Sequence, residues 1–96
     1  MACDLPQVVQ RAVGEGASIM PRPATAHYTN RLHDVWLGDQ HFIAKEFLDE
    51  SDPEAAEREY GALHVLKRLD VAPRPVFFDP ERRVVLYEFL DGLEFF

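Results

Sequence analysis

Apolar residues at Leu5, Val8, Val9, Ala12 and Val13 recur at i, i+3, i+4, i+7 and i+8, the spacing of one helical face. Asp4 suits the cap of that helix, Pro6 its first turn and Gly14 its exit. The period then changes. Residues 17–20 read as a weak strand that Pro21 and Pro23 cut short, and the small, polar residues 24–29 as a loop. Asn30 to Leu37 and His41 to Leu48 read as a second and a third strand, antiparallel across the turn residues Gly38, Asp39 and Gln40. Ser51-Asp52-Pro53-Glu54 is the clearest helix start, with a capping side chain, an early proline and acids where the helix dipole favours them. The helix is expected to run to about Leu69, where Val71-Ala72-Pro73-Arg74-Pro75 breaks it. Pro75 to Phe78 and Arg83 to Phe89 make a final hairpin across Asp79-Pro80-Glu81-Arg82. The expected architecture is one α+β domain over residues 1–96: a five-stranded antiparallel sheet with one packed helix, plus a short N-terminal helix.

Two charges interrupt this pattern. On an alternating third strand His41, Ile43, Lys45 and Phe47 share one face, so Lys45 stands between apolar neighbours. A lone ammonium there costs several kcal/mol unless it is paired. On the helix, Ala55, Ala56, Ala62, Leu63 and Leu66 fall within about 60° of one direction, with Glu59 at its centre. Glu57, Gly61, His64 and Arg68 take the opposite, solvated side. One inward lysine on a strand and one inward glutamate on the next helix are expected to neutralise each other. The competing arrangement has Lys45 snorkelling to the sheet edge and Glu59 reaching water past a short neighbour.

Composition narrows the chemistry. The 96 residues have room for a single core and one sheet-plus-helix layer. With 17 acidic residues against 10 basic ones the net charge is −7, and no run of Lys or Arg offers a nucleic-acid footprint. Cys3 is the sole cysteine, which excludes an intrachain disulfide and suits a reducing compartment. No signal-peptide pattern and no apolar run of membrane-spanning length occurs, so a cytoplasmic protein is expected. His27, His33, His41 and His64 lack metal-ligand spacing and read as surface or hydrogen-bonded residues.

Taken in order, several segments resemble the aminoglycoside phosphotransferase and choline kinase family, which shares the protein-kinase-like fold. They are Asn30 opening the second strand, Phe42-Ile43-Ala44-Lys45, Arg58-Glu59 followed by Leu63 and Leu66, Val71-Ala72-Pro73-Arg74-Pro75, and Tyr87-Glu88-Phe89-Leu90-Asp91-Gly92. The resemblance runs from about Ser18 to Gly92 and implies the ATP-binding amino-terminal lobe of that fold. It implies that Lys45 contacts the ATP α- and β-phosphates and that Glu59 orients it. Ile43 packs on the adenine ring in this reading, and Tyr87 stands at the back of its pocket. Glu88 offers a backbone carbonyl to the adenine amino group and Leu90 a backbone N–H to a ring nitrogen. The loop over residues 24–30 covers the phosphates.

Two departures qualify the resemblance. The loop has no glycine where the family commonly has one or two, which leaves the Thr25 and Thr29 hydroxyls as its phosphate donors. The sequence also stops at Phe96, before the family's catalytic Asp and its magnesium-binding Asn and Asp. No catalytic residue and no metal ligand is therefore expected here, and magnesium belongs to the full-length family. Activity would need the carboxy-terminal lobe, or a separate chain that supplies it. A non-catalytic regulatory half-protein that pairs with another chain through its apolar end, Phe95 and Phe96 included, is the alternative.

Overall fold

The computed structural model describes residues 5–22, 30–67 and 73–89. Its elements are α1 (Leu5–Val13), β1 (Ser18–Pro21), β2 (Asn30–Leu37), β3 (Gln40–Phe47), α2 (Ala55–Leu66), β4 (Pro75–Asp79) and β5 (Val84–Glu88). The strands form one antiparallel sheet in the order β1-β2-β3-β5-β4. This is the expected α+β arrangement, five strands with two helices.

The β2–β3 hairpin sets the register of the sheet. Leu37 pairs with Gln40, so the turn has two residues, with Gly38 first at φ 61° and Asp39 second. A two-residue hairpin turn favours a positive φ at its first position, which glycine adopts without Cβ strain. Gln40 belongs to β3 rather than to the turn, and β3 ends at Phe47, one residue before the expected Leu48. Pro21 is tolerated in β1 because that strand lies at the sheet edge, where an absent N–H breaks no ladder.

Both faces of the sheet are covered, in place of the single layer expected from length. Leu5, Val8 and Val9 of α1 pack with Val35, Phe42, Ala44, Val84 and Leu86 on one face. Ala56 and Leu63 of α2 pack with Ile43, Val85 and Tyr87 on the other. A strand buried on both sides has no polar alternation. Val84, Val85, Leu86 and Tyr87 of β5 are accordingly all buried.

Helix α2 departs from expectation at its start and on its buried face. It begins at Ala55, not at Ser51-Asp52. The Ser51 hydroxyl and amide both donate to Asp49 Oδ1, and the Asp52 carboxylate is taken by Arg58, so neither side chain caps the helix. Glu54 holds the cap position without a side-chain bond. The expected end near Leu69 lies outside the described residues. Ala62, expected inward, is exposed. Tyr60 packs on the core instead and stacks on Phe78, with ring centroids 5.4 Å apart. The buried stripe is thus centred between Glu59 and Tyr60, which leaves Glu59 at its margin.

Candidate functional site

Lys45 extends from the second half of β3 towards α2, and its Nζ donates to Glu59 Oε1 at 2.8 Å. The side chains keep 6% and 21% of their exposure respectively, so the ammonium is the deeper partner. Nζ also lies 5.1 Å from the centroid of the Phe47 ring, two residues along the same face. An ammonium has three donors, and Glu59 engages one of them. Glu59 Oε2 is buried and has no hydrogen-bond partner among the described residues.

The sheet register assembles the neighbours of this pair. Ile43 lies opposite Tyr87, and Lys45 opposite Val85. Ile43 and Tyr87 are fully enclosed. Burial pushes the Tyr87 phenol well above its ordinary pKa, and the negative charge of Glu59 adds to the rise. Four of the expected site residues, Ile43, Lys45, Glu59 and Tyr87, therefore stand together on the α2 face of β3, β5 and α2. Glu88 follows at the end of β5, where its amide donates to the Arg74 carbonyl at 2.9 Å. The Phe89 amide donates to the His41 carbonyl at 3.0 Å, so the chain leaving β5 is tied to both flanking segments. Thr25, Thr29 and Leu90 lie outside the described residues, as do His27, Cys3, Phe95 and Phe96.

Beside the pair is a cluster that the sequence reading did not identify. Arg22 Nε donates to both oxygens of Asp34, at 3.1 and 3.0 Å, and His41 Nε2 donates to Asp34 Oδ1 at 2.6 Å. The His41 ring is sandwiched between Trp36 and Phe89, with centroids 4.0 and 4.2 Å away. The Arg22 guanidinium lies over the Phe89 ring, 5.5 Å from its centroid. Burial alone would raise the Asp34 carboxyl, but the hydrogen bonds and charges of Arg22 and His41 outweigh it and hold the group below its ordinary pKa. The signal in the sequence was the hairpin register. Asp34 opposes Ile43 and Trp36 opposes His41, so Asp34 and His41 are diagonal neighbours on one face. On the opposite face His33 and Glu46 are diagonal neighbours too, with Nε2 and Oε1 2.7 Å apart.

A sheet in the order β1-β2-β3-β5-β4, with a lysine on β3 held by a glutamate of the following helix, defines a kinase-like fold. The chain superposes on choline kinase LicA from Streptococcus pneumoniae with a TM-score of 0.61, at 16% sequence identity. The match covers 92% of this chain and 32% of that chain, so these residues span about a third of the kinase's length. No family model and no curated protein sequence matches. No helix among the described residues is long and apolar enough to cross a membrane.

Proposed function

We propose that this chain is the ATP-binding lobe of a small-molecule phosphotransferase, which transfers phosphate from ATP to a hydroxyl of an aminoglycoside, choline or a similar acceptor. The Lys45–Glu59 bond carries the reading. A buried ion pair contributes little net stability, so its retention favours a use for the charge. Held at one oxygen by Glu59, the ammonium keeps two donors for phosphate oxygens. Glu88 and Leu90 would offer the backbone groups that read the edge of the base, whereas Ile43 is fully enclosed against α2 and would support the pocket from behind. ATP supplies the transferable phosphoryl group when bound, and its magnesium would be held by residues of the remaining lobe. The likeness to a choline kinase supports an alcohol acceptor. Catalysis then requires that second lobe, in the same protein or in a partner chain.

Isothermal titration with a non-hydrolysable ATP analogue tests this. Binding is expected for the wild type and is expected to weaken by at least about tenfold in Lys45→Met, from loss of one charge-assisted contact. Equal affinity in both proteins would remove the phosphate role of Lys45.

A further inference from the structure

Arg22 ties together the parts of the sheet between which a bound nucleotide would lie. It follows β1, and its amide donates to the Leu32 carbonyl at 2.9 Å, in the row that sets Leu32 opposite Lys45. Its side chain meets Asp34, which opposes Ile43, and the guanidinium lies 5.5 Å from the centroid of Phe89. Phe89 stands between Glu88 and Leu90 in the sequence, the two residues whose backbone groups would read the base. Cross-strand partners share a face, so Asp34, Ile43, Leu32 and Lys45 are on one side of the sheet. The interior registers the same placement. Burial raises the Tyr87 phenol most, the Glu59 charge adds to the rise, and the Arg22 charge opposes both.

The guanidinium is also fixed before a ligand arrives. Both of its contacts with Asp34 use Nε, at 3.1 and 3.0 Å, and Asp34 is itself held by His41 at 2.6 Å. The Arg22 side chain keeps 28% of its exposure, so a ligand can reach it from solvent. We infer, on the nucleotide reading above, that Arg22 is a further binding residue, a flat cation that stacks on the face of the base while Lys45 takes the phosphates. A guanidinium attracts an aromatic face through charge and stacking together, and one already held loses little freedom on doing so. Every base has such a face, so the contact adds affinity for the nucleoside without choosing the base. That choice stays with the backbone groups of Glu88 and Leu90. An ammonium in the same place keeps the charge beside Asp34 but lacks the plane.

Isothermal titration of the intact chain with adenosine and, separately, with tripolyphosphate divides the two halves of the ligand. Arg22→Lys is expected to weaken adenosine binding by at least about fivefold. It is expected to leave tripolyphosphate binding unchanged, because the positive charge is retained. Lys45→Met is expected to do the reverse. Arg22→Met, which keeps neither charge nor plane, is expected to lose as much adenosine affinity and serves as the second variant should Arg22→Lys not fold. Emission of Trp36, which stacks on His41 beside Asp34, checks the folding of each variant. Unaltered adenosine affinity in the Arg22 variants, equal losses of adenosine and tripolyphosphate in Arg22→Lys, or no adenosine binding by the wild type overturns the role of Arg22. Failure of the nucleotide reading itself shows separately, as tripolyphosphate affinity that Lys45→Met leaves intact.

Discussion

Lys45 is more deeply enclosed than the Glu59 that neutralises it, with side-chain exposures of 6% and 21%. The two partners should therefore respond unequally to removal. Glu59→Ala strands an ammonium in the interior, which costs about 3 kcal/mol, the lower end for a broken buried pair because Glu59 is partly solvated. Lys45→Met replaces the ammonium with an apolar chain of similar length and leaves a carboxylate whose side chain keeps 21% of its exposure and can turn to water, at about 1 kcal/mol or less. Urea unfolding followed by circular dichroism measures both. A larger loss in Lys45→Met than in Glu59→Ala would contradict the burial asymmetry.

Asp34 joins two strands and, through His41, the segment after β5. Replacing it with alanine removes the acceptor shared by Arg22 and His41, at a cost of about 1–2 kcal/mol for partly exposed groups. The local effect is readable because Trp36 is the sole tryptophan and stacks directly on His41. Asp34→Ala is expected to red-shift Trp36 emission before any unfolding. An unshifted spectrum together with an unchanged urea midpoint would show that Asp34 does not hold the stack.

What the residue pattern disclosed, and what it hid, follows from how each signal arises. Period-2 alternation on β3 located Lys45 correctly, because that face meets one helix. The opposite face meets another, so five consecutive residues, Phe42 to Glu46, are buried, and alternation could not report the second layer. Helical geometry brought Glu59 inward. Counting alanines as core residues, however, pulled the expected stripe towards Ala62 and away from Tyr60, whose ring reaches the core from the margin. The Ser51 start failed because Asp49 competes for the same hydroxyl and amide. The Asp34–His41 and His33–Glu46 bonds needed the hairpin register, which becomes definite only once the turn is known to have two residues.

Asp79 organises the β4–β5 turn by accepting from the amides of Glu81 and Arg82 and from Arg11. Burial pushes its carboxyl up, but these amides, followed by the Arg82 and Arg11 charges, bring it below its ordinary pKa. A carboxyl depressed in the folded state adds stability above its unfolded pKa of about 4, and that contribution is lost as pH falls through the lower folded value. Asp79→Asn should cost about 1–2 kcal/mol at neutral pH. The urea midpoints of the wild type and the Asp79→Asn variant should converge in acid, where the wild-type carboxyl is itself protonated. A difference that stays constant down to about pH 2 would mean that the charge of Asp79 is not the source of its effect.

Helix α1 offers the cleanest separation of stability from binding. Val8 and Val9 are buried against Val35, Phe42, Ala44, Val84 and Leu86, on the sheet face that Lys45 does not share. Truncating either valine to alanine removes two methyl groups from a packed contact and should cost about 1–2 kcal/mol. The Lys45–Glu59 bond rests on α2, Ile43, Val85 and Tyr87, none of which touches those methyls across the sheet. Val9→Ala should therefore lower the urea midpoint while leaving affinity for an ATP analogue unchanged within error, at temperatures where the variant stays folded. Lys45→Met should do the reverse, losing affinity with little change in midpoint. Loss of affinity in Val9→Ala comparable to that in Lys45→Met would show that the two faces are coupled through β3, and that packing on the α1 side sets the position of the ammonium.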